Sequence, residues 1–424
     1  MANDFLKVYP LTKALSQELS DSIPIEIYEY IIAHMDSTSA LKNCSLTCRA
    51  WLQASWKNIF SRRRIVVDCN NCEAFLQLIE LDRHSVTIIR FIRSLHIEQG
   101  DSRLLFRSTG PRNPKTFQFD DFLPRFVGLV SVKTLRLGWI RRDIGPTMIT
   151  SLRTNFGQVT VLELNSVVLA STDQLLDILI SFPSLTNLTL VGVAFSSLSY
   201  SVHEGEQTFF VERTLPVPPK LNELSCNLPR DETVFIFSWL TAHGVSSIQR
   251  LNVTLIHESS NAAISRYLRK FGSILEELTI GSFVSISPEA FDLSPCTKLS
   301  MLVISAQFRF RSSAFDLEVP PSDLFVPLFS MLQTVSAERL REVKILLRPN
   351  GDLTEEDYNH LDWNGLAFVI KQPQFTNLSR FRLIAPYKHA ELFKRVIKKQ
   401  IWEEHPLLAS VVRVGAWGRP KRIQ

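Results

Sequence analysis

Glycine is scarce in this chain, 15 among 424 residues, which argues against loops built to cradle phosphates. Long apolar runs are missing as well. No stretch approaches the roughly 18 residues that cross a bilayer. The longest clear run, Val234 to Leu240, reads as a core segment, and no membrane partner is expected. The first thirty residues lack a basic start, an apolar centre and a small-residue cleavage site, so no secretory signal is expected. The expected location is cytoplasmic, nuclear or both. Six cysteines are far below the density of a disulfide scaffold, and without a signal they should be reduced thiols. Cys69 and Cys72 form a CxxC, and Cys44 and Cys48 stand four apart, but nothing in the spacing supplies the four ligands of a structural zinc. None of the nine histidines has a metal-ligand neighbour at i+4, and no HExxH, GxSxG, EF-hand or phosphate-loop motif is present. No metal, cofactor or catalytic residue is expected.

Apolar residues make up 45% of the chain and charged residues 21%, a globular composition. The formal charge of +5 is uneven. From Pro386 to Gln424 there are nine Lys or Arg against three acids, a local excess larger than that of the whole chain. The remainder is close to neutral, which argues against a dedicated nucleic-acid surface. The closing GRPKR, Gly418 to Arg422, reads as a basic tail over 418–424. A nuclear import signal would look similar.

Residues 15–61 read as three short helices. Pro24 suits the first position of a helix, and Glu26 follows in the positively polarised first turn. Ile27, Ile31 and Ile32 recur at helical spacing, with Ile23 just ahead. Asp36 to Ser39 break the pattern and offer N-caps to a second helix with Leu41, Cys44, Leu46 and Cys48. Trp51, Leu52, Trp56, Ile59 and Phe60 mark a third. So short a unit buries little surface by itself, and its two tryptophans suggest anchoring, either at an interface or against the following domain.

The stretch IPIEIYEYIIAHM, a polar break, then ALKNCSLTCRAWLQASWKNIF resembles an F-box of the form common in large fungal families. Ile23, Pro24 and Glu26 match the family's opening Leu-Pro-x-Glu with one conservative change. Leu46, Cys48, Arg49 and Trp51 match its closing Leu-x-Cys-Arg-x-Trp, with Thr47 where the family usually has Val. The resemblance implies binding to a Skp-type adaptor, and through it to the cullin of an SCF ubiquitin ligase. It also implies the contact residues, Ile23, Pro24, Ile27, Ile31, Leu41, Leu46 and Trp51.

Residues 62–417 contain an internal repeat of the form L-x-x-L-x-L. Marking the fifth residue of each copy gives Leu95, Leu135, Leu162, Leu188, Leu224, Leu251, Leu278, Leu302, Val343 and Phe381. The steps run 40, 27, 26, 36, 27, 27, 24, 41 and 38, and five of the nine fall inside the range of leucine-rich repeats. Helical patterns lie between them at Gln174–Phe182, Thr233–Ala242, Ala262–Phe271 and Leu324–Val335. The expected fold is α/β: a three-helix module, then an irregular leucine-rich-repeat solenoid of about ten repeats, a curved parallel sheet backed by helices. The competing arrangement, a doubly wound sheet, would usually carry longer crossovers, a varied strand order and a glycine-rich first turn.

Side chains alternate along a strand, so the residues between the leucines should face a concave surface. They include Arg136, Glu163, Asn165, Thr189, Ser225, Asn227, Asn252, Thr254, Thr279, Ser305, Lys344, Arg380 and Arg382. Of these Arg136, Glu163, Asn165, Asn227, Asn252, Lys344, Arg380 and Arg382 are the candidates for holding a protein substrate, and the last few make a basic end. Three insertions compete as binding loops: Asp101–Arg125, Ser196–Pro219 with Phe209 and Phe210, and Arg348–Phe375. The expected function is substrate reception in an SCF-type ligase, with the chemistry done by other subunits. A non-ligase repeat scaffold is the alternative.

Overall fold

In the computed structural model, residues 22–47, 49–82, 88–99, 119–140, 144–196, 217–254, 258–283, 291–309, 326–336, 338–350 and 354–417 are described. The chain opens with α1 (Ile25–Ala33), α2 (Thr38–Ser45) and α3 (Arg49–Arg62). Pro24 sits one position earlier than its sequence context suggests. It is the N-cap, with extended ψ of 141°, and its carbonyl takes the Ile27 amide at 3.0 Å. Ser37 caps α2 by accepting from the Ala40 amide at 3.4 Å. Ile32, Leu41, Cys44 and Ala54 form the module's own core, with Met35, Trp51 and Ile59 packed around it. The chain passes from α3 into β1 (Arg64–Val67) through Arg63 alone, and Phe60 of α3 packs on the core of the following domain.

From there the chain lays down strand after strand. After β1 come β2 (Ser94–Glu98), β3 (Thr134–Gly138), β4 (Val161–Asn165), β5 (Val168–Leu169), β6 (Asn187–Val191), β7 (Ala194–Phe195) and β8 (Glu223–Asn227). They continue with β9 (Arg250–Thr254), β10 (Glu277–Phe283), β11 (Met301–Arg309), β12 (Glu342–Asn350), β13 (Arg380–Pro386) and β14 (Val412–Trp417). Apart from the short pair β5–β7, all join one 12-stranded parallel sheet whose spatial order is the chain order. That monotone order separates the two architectures the sequence left open. A doubly wound sheet reverses at a switch point so that helices cover both faces, whereas an unreversed order with right-handed crossovers puts every helix on one face.

The strand register carries the repeat. Leu95, Leu135, Leu162, Leu188, Leu224, Leu251, Leu278, Leu302, Val343 and Phe381 are direct cross-strand partners in one continuous row. Two strands that the sequence pattern missed extend the row, adding Ile65 of β1 and Val412 of β14. A second inward row runs two residues further on, through Val67, Ile97, Leu137, Leu164 and Leu190 to Leu383. Burial of both rows on the helical side is the main stabilising term of the fold.

A hydrogen-bond device repeats with the same period. Just ahead of each strand of the large sheet from β2 to β12, one backbone carbonyl accepts two amides from the next repeat. Arg93 takes Lys133 and Thr134, Lys133 takes Thr160 and Val161, Thr160 takes Thr186 and Asn187, and the series runs on to Arg341, which takes Ser379 and Arg380. At Thr160, Thr186, Ser300 and Ser379 the side-chain hydroxyl donates to that same carbonyl. The strand starts are thereby held at one level. The strand ends show a matching regularity. Trp139, Ser166 and Gly192 each follow the fifth strand residue, with φ of 58°, 55° and 60°. The chain turns left-handed there, which glycine tolerates and the other two do not favour.

The helical layer comprises α4 (Cys72–Asp82), α5 (Pro146–Phe156), α6 (Thr172–Ile180), α7 (Arg230–Ala242), α8 (Glu258–Phe271), α9 (Val326–Gln333), α10 (Glu355–Asn359), α11 (Trp363–Ile370) and α12 (Ala390–Ile397). Residues 348–375 are not the open loop the sequence suggested. They hold the end of β12, then α10 and α11, because Thr354 and Asp357 form a capping box and Asp362 accepts from the Gly365 amide at 2.8 Å. The insertion residues Phe209 and Phe210, Cys48 and the basic tail 418–424 lie outside the described residues, as do most of the insertion at 101–125 and residues 1–21. No helix of the described residues is long and apolar enough to cross a membrane.

Candidate functional site

Helix α1 carries two apolar stripes where a fold needs one. Tyr28 and Ile32, four residues apart, face the module's core and are buried. Ile27, Tyr30 and Ile31 share another face, 49%, 68% and 46% exposed, with Ile25 exposed just ahead of them. Leu46, the residue that ends α2, is 85% exposed. Large apolar side chains set together on one exposed helix face mark an interaction surface.

The other residues implied for that contact divide. Pro24 is exposed and Ile23 half-buried at the start of α1. Leu41 is only 5% exposed and belongs to the module's own core, so its side chain is not on the surface. Trp51 is half-buried against the same core, its ring 6.1 Å from that of Tyr28. The family resemblance carries positions and not their burial, so it named Leu41 together with residues that the fold leaves on the surface. Tyr30 shares the exposed stripe without being among the implied contacts, and its i+3 spacing from Ile27 was a usable signal. An ion pair from Lys57 to Glu29 at 3.0 Å and a donation from the Arg62 guanidinium to the Ala33 carbonyl tie α3 to α1.

Across the sheet, the open face carries a polar row in register: His96, Arg136, Glu163, Thr189, Ser225, Asn252 and Thr279 on successive strands. After Val303 it continues through Lys344, Arg382 and Arg413. Asn165 and Asn227 sit one level further along their strands, and Arg380 one level before Arg382. The structure therefore brings all eight candidate substrate-face residues onto one side of one sheet.

Charge is distributed along that face in three zones. At the first, Arg64 and Arg136 both reach Glu163, at 3.8 and 3.6 Å, and His96 Nε2 lies 3.1 Å from Glu98. His96 is nearly buried, and burial followed by the charges of Arg136 and Arg64 lowers its pKa to about 4, so it is neutral at physiological pH. In the middle zone Asn252 donates to Ser225 at 3.1 Å, and Arg250 stands between two acids, pairing with Glu223 at 2.8 Å and lying directly across from Glu277. At the last zone Lys344 and Arg382 share Glu342, at 3.5 and 2.9 Å. Arg380 and Arg413 are exposed and form no ion pair among the described residues, although Glu342 is the direct cross-strand partner of Arg380.

Four of the described cysteines are buried packing residues. Cys69 is exposed while Cys72 is buried at the start of α4, and burial pushes the Cys72 thiol up to about 12. A thiol held that far from ionising is a poor nucleophile and a poor metal ligand. Cys44, Cys226 and Cys296 are buried too, and Cys296 is likewise raised to about 12. No group of three His, Cys, Asp or Glu among the described residues is arranged to hold a metal ion.

The family model for the F-box domain matches residues 20–63. This chain carries an F-box. The F-box comprises α1 to α3, and the exposed stripe of Ile27, Tyr30 and Ile31 is part of its surface. No curated protein matches the chain in a sequence search. A solved structure described as "Crystal structure of Rad7 and Elc1 complex in yeast" aligns with 97% of this chain and 96% of its own, at 14% identity and a TM-score of 0.28. That superposition is too loose to transfer geometry, so the sheet's architecture rests on its own register and strand order.

Proposed function

We propose that this chain is the substrate-recognition subunit of an SCF-type cullin ubiquitin ligase. Its F-box, matched over 20–63, binds a Skp-type adaptor, and the repeat domain that follows it, up to 417, holds a protein substrate on the open sheet face. The carrying observation is the second apolar stripe on α1, which the F-box core does not use and which a partner would bury. The single-residue connection at Arg63 and the packing of Phe60 on the repeat core support a fixed relation between the two surfaces. A receptor of this kind needs no active site. It supplies proximity and orientation for a ubiquitin transfer catalysed by other subunits. On this reading the chain works in the cytoplasm, the nucleus or both, and needs no cofactor.

The test is capture of a purified Skp-type adaptor by wild type and by an Ile27→Asp, Ile31→Asp variant. Both side chains are about half exposed, so the variant should keep its fold by circular dichroism. Losing two interfacial isoleucines should weaken capture by at least about tenfold. A Trp51→Ala variant would be less clean, since Trp51 also packs on the F-box core. Folded wild type that captures no adaptor would leave a repeat scaffold outside the ligase as the better account.

A further inference from the structure

The last zone of the sheet face departs from the rest of it. Lys344, Arg382 and Arg413 stand on three adjacent strands as direct cross-strand partners. Neighbouring strands lie about 4.8 Å apart. Like charges placed directly opposite destabilise a sheet, so such a row calls for counter-charge. The protein supplies one carboxylate, Glu342, which already serves both Lys344 and Arg382. Arg413 has none among the described residues, and Arg380, whose direct cross-strand partner is that same Glu342, forms no ion pair of its own among them. Elsewhere on the face acids match or outnumber the cations beside them: Glu163 and Glu98 stand with Arg64 and Arg136, and Glu223 and Glu277 flank Arg250. Beside the cations run half-buried Leu346 and Ile384, in register one level further along β12 and β13. They give the row an apolar margin.

We infer that this zone is the docking site for an acidic, extended protein segment, laid across β12, β13 and β14 with its carboxylates on Lys344, Arg382, Arg413 and Arg380. The inference rests on the receptor reading and deepens it by naming a substrate class. Charge complementarity selects the partner, since three to four cations face one acid and arginine presents a planar fork suited to carboxylates. The apolar margin at Leu346 and Ile384 favours a peptide, whose side chains can alternate between charged and apolar contacts as the segment runs along the row.

The experiment measures fluorescence anisotropy of a labelled oligo-aspartate peptide with the full chain at low salt. Two variants reverse the same number of charges in different places: Lys344→Glu, Arg382→Glu, Arg413→Glu on the open face, and Lys394→Glu, Arg395→Glu, Lys398→Glu at exposed positions on α12 and just past its end. The open-face variant should bind at least about tenfold more weakly, the α12 variant within about twofold of wild type. Should the triple reversal unfold the sheet, Arg380→Gln with Arg413→Gln removes two charges that form no ion pair among the described residues and should still weaken binding about threefold or more. Equal loss in both triple variants would reduce the effect to net charge and overturn the proposal. Tighter binding of a labelled oligothymidylate, lost with the same open-face residues, would overturn it in favour of a nucleic acid. Failure of the receptor reading is visible separately. Adaptor capture is scored on the same preparations, and Ile27→Asp with Ile31→Asp should leave peptide binding unchanged.

Discussion

Four buried residues, Ile32, Leu41, Cys44 and Ala54, make the core of the F-box, whereas the core of the repeat domain runs unbroken from Val67 to Val412. The difference lies in how each part disposes of apolar surface. In the repeat domain every strand offers its leucines to the helical layer and its neighbours continue the row, so both inward rows are covered along their length. In the F-box, three helices enclose one stripe of α1 and leave another in solvent. A small module with surplus apolar surface is completed by association, and a solenoid is completed by its next repeat. On the proposed function the same division carries over: the F-box would offer an apolar handle to a partner, and the sheet a polar face that turns basic at its last strands.

Truncating each core tests the contrast most severely. Leu278→Ala, fully buried in the middle of the sheet, should cost about 3–5 kcal/mol, because the flanking strands cannot collapse into the hole. Ile32→Ala should cost about 2–4 kcal/mol and act first on the F-box. Hydrogen exchange read by mass spectrometry would separate them: the first should loosen the strands on both sides of β10, the second residues 22–62. If Ile32→Ala raises exchange equally throughout the sheet, Phe60 and Arg63 couple the two parts into one cooperative unit and the contrast fails.

Acid should act on the repeat domain before the F-box. His96 has its pKa lowered from 6.5 to about 4, so between those values the unfolded chain takes up a proton that the folded chain refuses. Stability contributed by neutral His96 is therefore whole above pH 6.5 and is lost as the pH falls toward 4. The loss is at most about 3 kcal/mol, and Glu98 beside the ring reduces it. Thermal melts of wild type and His96→Gln across this range should converge in the acid. Parallel curves would show that another group governs the response.

The smallest expected effect is a gain. Ser166 adopts the left-handed conformation that Gly192 occupies one repeat later. Ser166→Gly should relieve that strain and raise the stability of the repeat domain by up to about 1 kcal/mol, partly offset by greater freedom of the unfolded chain and the lost contact from its hydroxyl to Asn165. A melting temperature that falls instead would assign the hydroxyl more weight than the backbone strain.

The repeat was legible because a parallel solenoid writes its inward row into sequence as leucines at alternate positions, and all ten marked residues fell into one register. Strands β1 and β14 escaped notice because an end strand has one neighbour. Arg64–Val67 is only four residues, and Val412–Trp417 carries valines and glycine in place of the leucine pattern. The doubled amide pairing ahead of each strand was invisible too, since backbone groups leave no residue signature beyond Thr160, Thr186, Ser300 and Ser379. On α1 the spacing pointed to an apolar helix, and tertiary contacts then assigned Tyr28 and Ile32 inward and Ile27 and Ile31 outward.

By itself the sequence determined the F-box match, the repeat period and the identity of the polar residues between the leucines, because these depend on local pattern and chain order. Only the tertiary structure decided which apolar residues stay in solvent and which cations lack an answering acid. Both are properties of neighbours far apart in the chain: Lys344, Arg382 and Arg413 become one charged row only when three strands lie side by side in register.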